Sequence, residues 1–471
     1  MPILHNVPMS SSRISLLILS PILLWGQNPS SSPDAADLTK QMNDMKAVIQ
    51  KLQQRVDELE TRLGPSPAAD PAAKPQSAHV NQPALPPSEQ VTPSQPAISN
   101  FLRGTSINTV LDTYYGYNFN NPIGRVNRLR AYDVLGNSFS LNQAAIVIEN
   151  APDVANGKRW GARLDLQFGQ ATETLQGNAA NELRPAVYRN IFQAYGVYVV
   201  PIGSGLTVNF GKWASSLGFE NNYTQDQINY SRSYWFNFLP FYHMGARLNY
   251  QITKELAINY WVSNGTQQTE AFNNFKDQFV GVAVQPNQNV SWTVNYHFGQ
   301  EHPDVTMLPN STNPNLPTLQ GEPFLPIQSP PAGKLHIIDT YANWQANPKL
   351  TFALEADYVI ERLHTNSYPA RTWGGAGYAR YQISPRVAVA GRTEYLSDQG
   401  GLFSGTTQAL KETTLTLEQR LAEGFLLREE WRRDFSNQAY FYTNLLGVLK
   451  REQNTATLGV VWWFGPKKGP W

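Results

Sequence analysis

The sequence predicts an all-β transmembrane barrel of about 16 antiparallel strands, preceded by an N-terminal α-helical coiled coil. Three observations support this fold class. Segments of about ten residues alternate between apolar and polar side chains, short and long connections follow each other in turn, and charged residues recur on one face of the segments. The stretch "WGARLDLQFG" at 160–169 shows the alternation, with Trp160 and Leu164 on one face and Arg163 and Asp165 on the other. A period of two is typical of a strand with one apolar and one polar face.

Composition excludes several classes of function. The 471 residues carry a formal net charge of +1, so no basic excess is present to displace the counterions of a nucleic acid. Cysteine is absent, which excludes disulfides and cysteine-ligated zinc. Beyond the N-terminus no long apolar run occurs and the mean hydropathy is −0.39, which excludes membrane-spanning helices.

Residues 1–26 have the pattern of a secretory signal peptide. Arg13 precedes an apolar run from Ile14 to Trp25, and the small residue Gly26 follows. The alternative is a membrane-anchoring helix, but a span needs about 20 apolar residues and this run is shorter. We therefore expect export of the chain.

Residues 37–63 predict a coiled coil. Apolar residues recur at alternating spacings of four and three, which makes an unbroken heptad seam. The seam consists of Leu38, Met42, Met45, Ile49, Leu52, Val56, Leu59 and Leu63. Two apolar positions per heptad favour self-association over the alternative, an amphipathic helix packed on the chain's own barrel. β-branched residues at Ile49 and Val56, with leucine at most of the facing positions, favour two strands.

Residues 64–100 predict an extended linker. They contain nine prolines and too few apolar residues to pack a core. A chain of this kind is semi-rigid and spans up to ~110 Å at about 3.1 Å per residue. The barrel domain is then predicted over 101–471.

From residue 105 onward the sequence divides into 16 candidate strands, with no helical pattern between them. They are centred on 106–118, 139–149, 159–169, 190–200, 206–213, 244–250, 256–263, 279–285, 290–299, 336–344, 350–359, 375–381, 387–396, 412–421, 425–434 and 455–464. Connections after even-numbered strands are short apart from the first, 150–158, which is longer. Those after odd-numbered strands run from about 15 residues upward, as expected for a bacterial outer-membrane barrel. An even strand number places both ends of the barrel at the turn side, which is periplasmic, where the coiled coil has to lie.

The two faces of the strands differ in character. One face carries large apolar and aromatic residues, such as Phe210, Trp292 and Leu354, and is expected to face lipid. A charge facing lipid near the midplane costs ~2–4 kcal/mol, so the charged face is expected to line a water-filled lumen. The residues predicted to line it are Arg163, Asp165, Arg247, Glu355, Asp357, Arg392, Glu394, Glu418, Arg420, Arg428, Glu430 and Arg432. The alternative is a soluble antiparallel sheet, which would need a second packing layer.

The third long connection, at 214–243, carries a resemblance to a known family. It contains "NYSRSYWFNFLPFYH" followed by "MGARLNY", with Arg232, Pro240, His243 and Arg247 at the characteristic positions. This run resembles the OmpL-like β-barrel porin family, and the resemblance extends over roughly 105–464. It implies a diffusion channel of the outer membrane with no catalytic residues. Because porins are commonly trimeric, it also favours a homo-oligomer with three copies, whereas the heptad seam favours two.

The third long loop is predicted to constrict the channel. In trimeric porins this loop commonly folds into the lumen, and here it offers both charge and rigid rings. The residues predicted to form the constriction are Glu220, Asp226, Tyr230, Arg232 and Tyr234. The alternative is a surface loop packed on the rim. Because the predicted lumen charges are of both signs, we expect weak charge selectivity.

The sequence therefore predicts an outer-membrane porin for small hydrophilic solutes, with outer-membrane lipid and further copies of the chain as partners, no cofactor and no enzymatic activity. The alternative function is a structural tether that reaches the cell wall through the periplasmic coiled coil. "HFGQEH" places His297, Glu301 and His302 close together, but the segment straddles a strand end and a loop, so no metal site is predicted there. After Phe464, the predicted end of the last strand, "PKKGPW" follows with no assigned role.

Overall fold

The computed structural model describes Gln54 and residues 104–471, apart from 177–181, 183, 309–310, 320–321, 329–330, 332 and 468–470. The chain divides into two units, Met1–Ala73 and Lys74–Trp471, and the described strands belong to the second. The predicted signal peptide and linker lie outside the described residues, as does the predicted coiled coil apart from Gln54. These three predictions stay predictions.

Sixteen strands pair with their neighbours in chain order and close into a barrel, which confirms the predicted fold of this part of the chain. All sixteen pairings are antiparallel, including the one that closes the barrel between the first and last strands. The strands are β1 (Thr105–Asn118), β2 (Ser138–Asn150), β3 (Trp160–Phe168), β4 (Ile191–Val200), β5 (Leu206–Ala214), β6 (Tyr242–Gln251), β7 (Leu256–Ser263), β8 (Asp277–Asn287), β9 (Val290–Gly299), β10 (Leu335–Asn347), β11 (Leu350–Glu361), β12 (Ala370–Ser384), β13 (Val387–Gln399), β14 (Gln408–Ala422), β15 (Phe425–Ser436) and β16 (Glu452–Phe464).

Burial alternates along the strands as the side chains do. In β15, Arg428, Glu430 and Arg432 are buried, while Trp431 between them is 39% exposed. On the outer face Phe210 is 70% exposed and Leu354 is 66% exposed. Because successive side chains of a strand point to opposite faces, the charged residues point into the barrel and the apolar ones point away from it.

Short turns join the strands at one end of the barrel and long loops join them at the other. The turns include 201–205 and 288–289, and the loops include the third, L3 (215–241), the fourth, L4 (264–276), and the fifth, L5 (300–334). We call the two ends the short-turn end and the long-loop end. The prediction that all loops at the long-loop end have about 15 residues or more was wrong for 362–369 and 400–407. These loops are shorter because their flanking strands continue to pair as far as Glu361↔Ala370 and Asp398↔Gln408.

The expectation that no helix interrupts the strands was wrong within the long loops. Among the described residues of these loops, three short α-helices occur: α1 (Gln170–Gln176), α2 (Pro185–Tyr188) and α3 (Tyr234–Phe238). Helix α3 begins where the side-chain oxygen of Ser233 accepts the backbone N–H of Phe236 at 2.9 Å. None of the helices among the described residues is long and apolar enough to cross a membrane.

Candidate functional site: a loop folded into the barrel

Loop L3 leaves β5 at the long-loop end, enters the interior of the barrel and returns to β6. A barrel of about 16 strands is too wide for its own side chains to fill. L3 supplies rings for this space, and those of Tyr223, Tyr230, Tyr234 and Trp235 are each at most 1% exposed. The structure therefore places this segment inside the barrel rather than on its rim.

L3 bonds to the first strands through hydroxyl groups. The hydroxyls of Thr224 and Tyr230 donate to the two carboxylate oxygens of Asp112 in β1, at 2.6 and 2.8 Å. The hydroxyl of Tyr223 donates to Asp165 in β3 at 2.6 Å. These contacts hold the middle of the loop against the wall formed by β1 to β3.

L3 bonds to the last strands through its backbone. The carboxylate of Glu430 in β15 accepts the N–H groups of Tyr230 and Ser231 at 2.6 and 2.9 Å. The N–H of Tyr234 lies 2.9 and 3.0 Å from the two oxygens of Glu394 in β13. Buried N–H groups at the bends of a loop need such acceptors, and the wall provides them as carboxylates.

Arginines of the wall, among them Arg428 and Arg392, bind carbonyl groups of L3. Arg428 in β15 donates to the carbonyl oxygens of Thr224 and Asn229 at 2.7 and 3.2 Å, and to Glu418 at 2.8 Å. Arg392 in β13 donates to the carbonyl oxygen of Ser231 at 2.7 Å. Both guanidinium groups are nearly or fully buried, so each is neutralised inside the barrel rather than by solvent.

The charged residues of L3 have partners of their own. Glu220 accepts a hydrogen bond of 2.8 Å from Arg392. Arg232 donates to the carbonyl oxygens of Asn222 and Tyr230, both at 2.8 Å. The Arg232 guanidinium also lies 4.8 Å from the ring centre of Tyr132 in the first long loop, a cation–π distance. The loop thus keeps its bends through internal contacts of Arg232 with carbonyl groups and through the ion pair of Glu220 with the wall.

Asp226 contacts the segment that follows the last strand. Its carboxylate accepts the backbone N–H of Trp471 at 2.9 Å, and the Trp471 ring lies 5.8 Å from that of Tyr223. Burial raises the pKa of Asp226 to about 7, and the hydrogen bond from Trp471 and the positive charge of Lys467 act against this rise. The carboxyl of Asp226 therefore changes its charge near neutral pH.

The start of L3 packs on an acidic part of the wall. Glu355 in β11 accepts the backbone N–H of Phe219 at 2.9 Å. The carboxylates of Asp339, Glu355 and Asp357 offer ligand atoms that lie within 4.8 Å of one another. The described residues contain a second group of this kind, Asp277, His297 and Glu301.

The wall formed by β3 to β7 has a different surface. Arg163 bonds to its neighbour Asp165 at 2.8 and 2.9 Å. The guanidinium of Arg247 lies 5.4 Å from the ring centre of Trp213. Side chains on β6 are half-buried along most of the strand, whereas those on β15 that face L3 are buried.

The structure brings together most of the residues singled out from the sequence. Glu355, Arg392, Glu394, Arg428 and Glu430 contact L3 directly, and Glu418 does so through Arg428. Arg432 also contacts L3 directly, since it donates to the carbonyl oxygen of Arg232, and it bonds to Asp434 at 2.8 Å. Asp357 has no hydrogen-bond partner among the described residues. Arg420 lies apart and exposed, 5.6 Å from the ring of Trp463.

Sequence reasoning missed several wall residues that bond to L3, among them the following two. Asp112 in β1 and Gln143 in β2 bond to the loop, the latter through its amide donating to the carbonyl of Asn222 at 2.9 Å. Asp112 could have been found from its position in the alternation of β1, because it lies on the same face as the buried residues Val110 and Tyr114. The lining of a water-filled channel by the wall residues, and the constriction by L3, stay predictions.

Comparison with known proteins identifies the family. A family model described as "Putative beta-barrel porin-2, OmpL-like" matches residues 104–464. Among solved structures the chain is similar to an anion-selective porin from Comamonas acidovorans, with 10% identity, a TM-score of 0.49, and coverage of 76% of this chain and 99% of that one. It is also similar to OprB of Pseudomonas putida at high pH, with 12% identity, a TM-score of 0.49, and coverage of 78% and 96%. No curated protein matches the chain.

The family match covers the closed barrel from β1 to β16 and includes the whole of L3. It confirms the resemblance seen in the sequence of that loop. The chain belongs to the OmpL-like family of β-barrel porins.

Proposed function

We propose that this protein is an outer-membrane porin, in which the barrel forms a water-filled diffusion channel for small hydrophilic solutes and L3 constricts that channel. One observation carries the proposal: L3 lies inside a closed barrel and bonds to several parts of its wall, at Asp112 in β1, Glu430 in β15 and Glu355 in β11. Family membership supports a location in the bacterial outer membrane. Under this proposal the short-turn end is periplasmic and the long-loop end is extracellular.

We place the solute path between L3 and the wall formed by β3 to β7. Arg163, Arg247 and Asn249 on this wall are less completely buried than Arg392, Arg428 and Glu430 on the opposite part of the wall, which supports water beside them. The other sides of L3 are bonded tightly to carboxylates and arginines of the wall. The path is thus lined by two cations, with the carboxylate of Asp165 2.8 Å from Arg163. Because both signs of charge occur close together, we expect weak selectivity between anions and cations.

Conductance of the purified full-length protein in planar lipid bilayers tests this function. A porin gives discrete current steps that grow with salt concentration, and swelling of liposomes that contain the protein shows which neutral sugars pass. Heat-denatured protein in the same detergent serves as the control. Folded protein that inserts into bilayers without giving any current steps would contradict the proposal.

We further propose that the chain is a homo-oligomer, with a trimer favoured over a dimer, and that residues 37–63 contribute a periplasmic coiled coil. Membership of a porin family supports the trimer. The heptad seam from Leu38 to Leu63 supports the coiled coil, although by itself it favours two copies. The same segment, followed by the linker, supports the second candidate function, a tether to the cell wall. Deleting residues 34–100 tests both roles: loss of oligomers supports the coiled coil, and unchanged oligomers with unchanged cell-wall association contradict both.

A further inference from the structure

Three metal-ligating side chains meet at the long-loop end of the barrel. Asp277 begins β8, His297 lies near the end of β9, and Glu301 follows β9 in L5. The Nε2 atom of His297 lies 2.8 Å from Oδ2 of Asp277, and ligand atoms of all three residues lie within 4.8 Å of one another. His297 and Asp277 are fully buried, and Glu301 is half-buried.

Neighbouring loops hold these carboxylates in place. Glu301 accepts the backbone N–H of Thr266 at 3.0 Å and the side-chain amide of Gln268 at 2.6 Å, both from L4. Asp277 accepts the backbone N–H of Gln300 at 3.1 Å. Each carboxylate oxygen still has a lone pair free for another partner, because a carboxylate has about four acceptor sites.

Gly299 is required for this arrangement. A Cβ atom at this position would collide with the carboxylate of Asp277. Because glycine has no Cβ, the main chain of β9 at Gly299 leaves space for the Asp277 side chain. The Asp277 carboxylate therefore packs directly against that main chain.

The charges of the cluster are not balanced by cationic side chains. Within the described residues neither Asp277 nor Glu301 has a lysine or arginine at ion-pair distance, and the only ion-pair contact is with the imidazole of His297. Two buried carboxylates this close together are costly without a neutralising partner. The Nδ1 atom of His297, fully buried, has no hydrogen-bond partner among the described residues.

We propose that Asp277, His297 and Glu301 bind one divalent transition-metal ion, of which Zn²⁺ is the representative. One imidazole and two carboxylates are ligands that such ions accept, at bond lengths of about 2.0–2.2 Å. Ligand atoms around one ion then lie roughly 3–3.5 Å apart, so only small side-chain rotations separate the structure from a coordinated state. The ion ties L4, through Glu301, to β8 and β9 at the long-loop end. The site is independent of the proposed channel function.

Titration of the full-length protein in detergent with ZnCl₂, after removal of metals by a chelator, tests the site. We expect one ion per chain, and at least about tenfold weaker binding in His297→Gln and Glu301→Gln. His336→Gln is the matched control, because this histidine lies on the outer face and bonds only to the Tyr296 hydroxyl at 2.8 Å. Loss of binding in the two site variants with retention in the control supports the site, and equal binding in all four proteins overturns it.

X-ray absorption of the Zn²⁺-loaded wild-type protein supplies a test that needs no variant. A shell with one imidazole and oxygen ligands is the expected result. A shell of oxygen atoms alone, or of two or more imidazoles, shows adventitious binding elsewhere and overturns the proposal. This measurement decides the question even if a site variant fails to fold.

Discussion

The carboxylate of Glu430 in β15 accepts the backbone N–H of Tyr230 in L3 at 2.6 Å. The same tyrosine donates its hydroxyl to Asp112 in β1 at 2.8 Å. Tyr230 is therefore held at two points, by its backbone N–H and by the hydroxyl at the end of its side chain. Its position inside the barrel is set by wall residues and not by the loop alone.

Glu430→Gln should weaken the attachment of L3 to the wall at Tyr230 and Ser231. The amide of glutamine presents N–H groups where the carboxylate accepts two backbone N–H groups, so one donor is left unsatisfied, at a cost of about 1–3 kcal/mol. We expect larger and noisier single-channel currents in planar bilayers. Glu429→Gln is the control, since Glu429 is exposed on the outer face, where it accepts a hydrogen bond of 3.2 Å from Gln419. Equal currents in the two variants would show that Glu430 does not hold the loop.

Gly459→Ala should displace Tyr230. A Cβ atom at Gly459 in β16 would collide with the tyrosine ring, and overpacking of this kind costs about 1–3 kcal/mol. The temperature at which the folded band disappears in heat-modifiability gels should fall. Gly196→Ala is the matched control, because nothing lies within 4 Å of its added Cβ. An unchanged transition in Gly459→Ala would contradict the packing of Tyr230 against β16.

Leu164→Arg and Arg163→Ala should have opposite consequences. Leu164 lies on the outer face at the middle of β3, where an arginine facing lipid costs ~2–4 kcal/mol, so membrane insertion should be impaired. Removing the Arg163 side chain leaves Asp165 with hydrogen bonds from Gln193 and Tyr223, both at 2.6 Å, so folding should persist. Insertion into liposomes and reversal potentials in a salt gradient measure the two effects. If Arg163→Ala impaired membrane insertion and Leu164→Arg did not, the assignment of the two faces of β3 would be reversed.

Arg247→Glu should shift ion selectivity toward cations. Arg247 lies half-buried on the wall where we place the solute path, so a reversed charge there acts directly on passing ions. The reversal potential in a KCl gradient measures the shift. Arg433→Gln is the control, since this arginine is exposed on the outer face and pairs with Glu452. A shift of the same size in both variants would remove Arg247 from the path.

Asp226→Asn should abolish a pH dependence of stability. The folded state raises the pKa of Asp226 from 3.8 to about 7 by burial, so it favours the protonated form. The stability contribution of this group is therefore highest below the unfolded pKa and is lost as the pH rises toward 7. Relative to Asp226→Asn, the wild type should lose thermal stability between pH 5 and pH 8. An identical difference between the two proteins at both pH values would refute the assignment.

The strand pattern was readable from the sequence because each strand of a single-layered barrel has one lipid side and one inner side. The prediction was weakest in β12, where Gly374, Gly375 and Gly377 replace the side chains that make alternation visible. Loop L3 was recognisable from its composition, but its partner Asp112 was not, because contacts across the interior depend on register. For the same reason the sequence hid the meeting of Asp277 with His297, which the Phe279↔His297 pairing of β8 and β9 brings together.

The closing pair of strands has a consequence for how the barrel opens and forms. Thr109 and Phe464 meet across 355 residues of chain, so this seam forms only when both ends of the barrel are present. L3 bonds to β1 at Asp112 and to β15 at Glu430, on either side of the last strand. From inside the barrel, the loop therefore links strands on the two sides of the seam between β1 and β16. Lateral parting of the first and last strands requires its hydrogen bonds to break as well, which raises the kinetic barrier to unfolding.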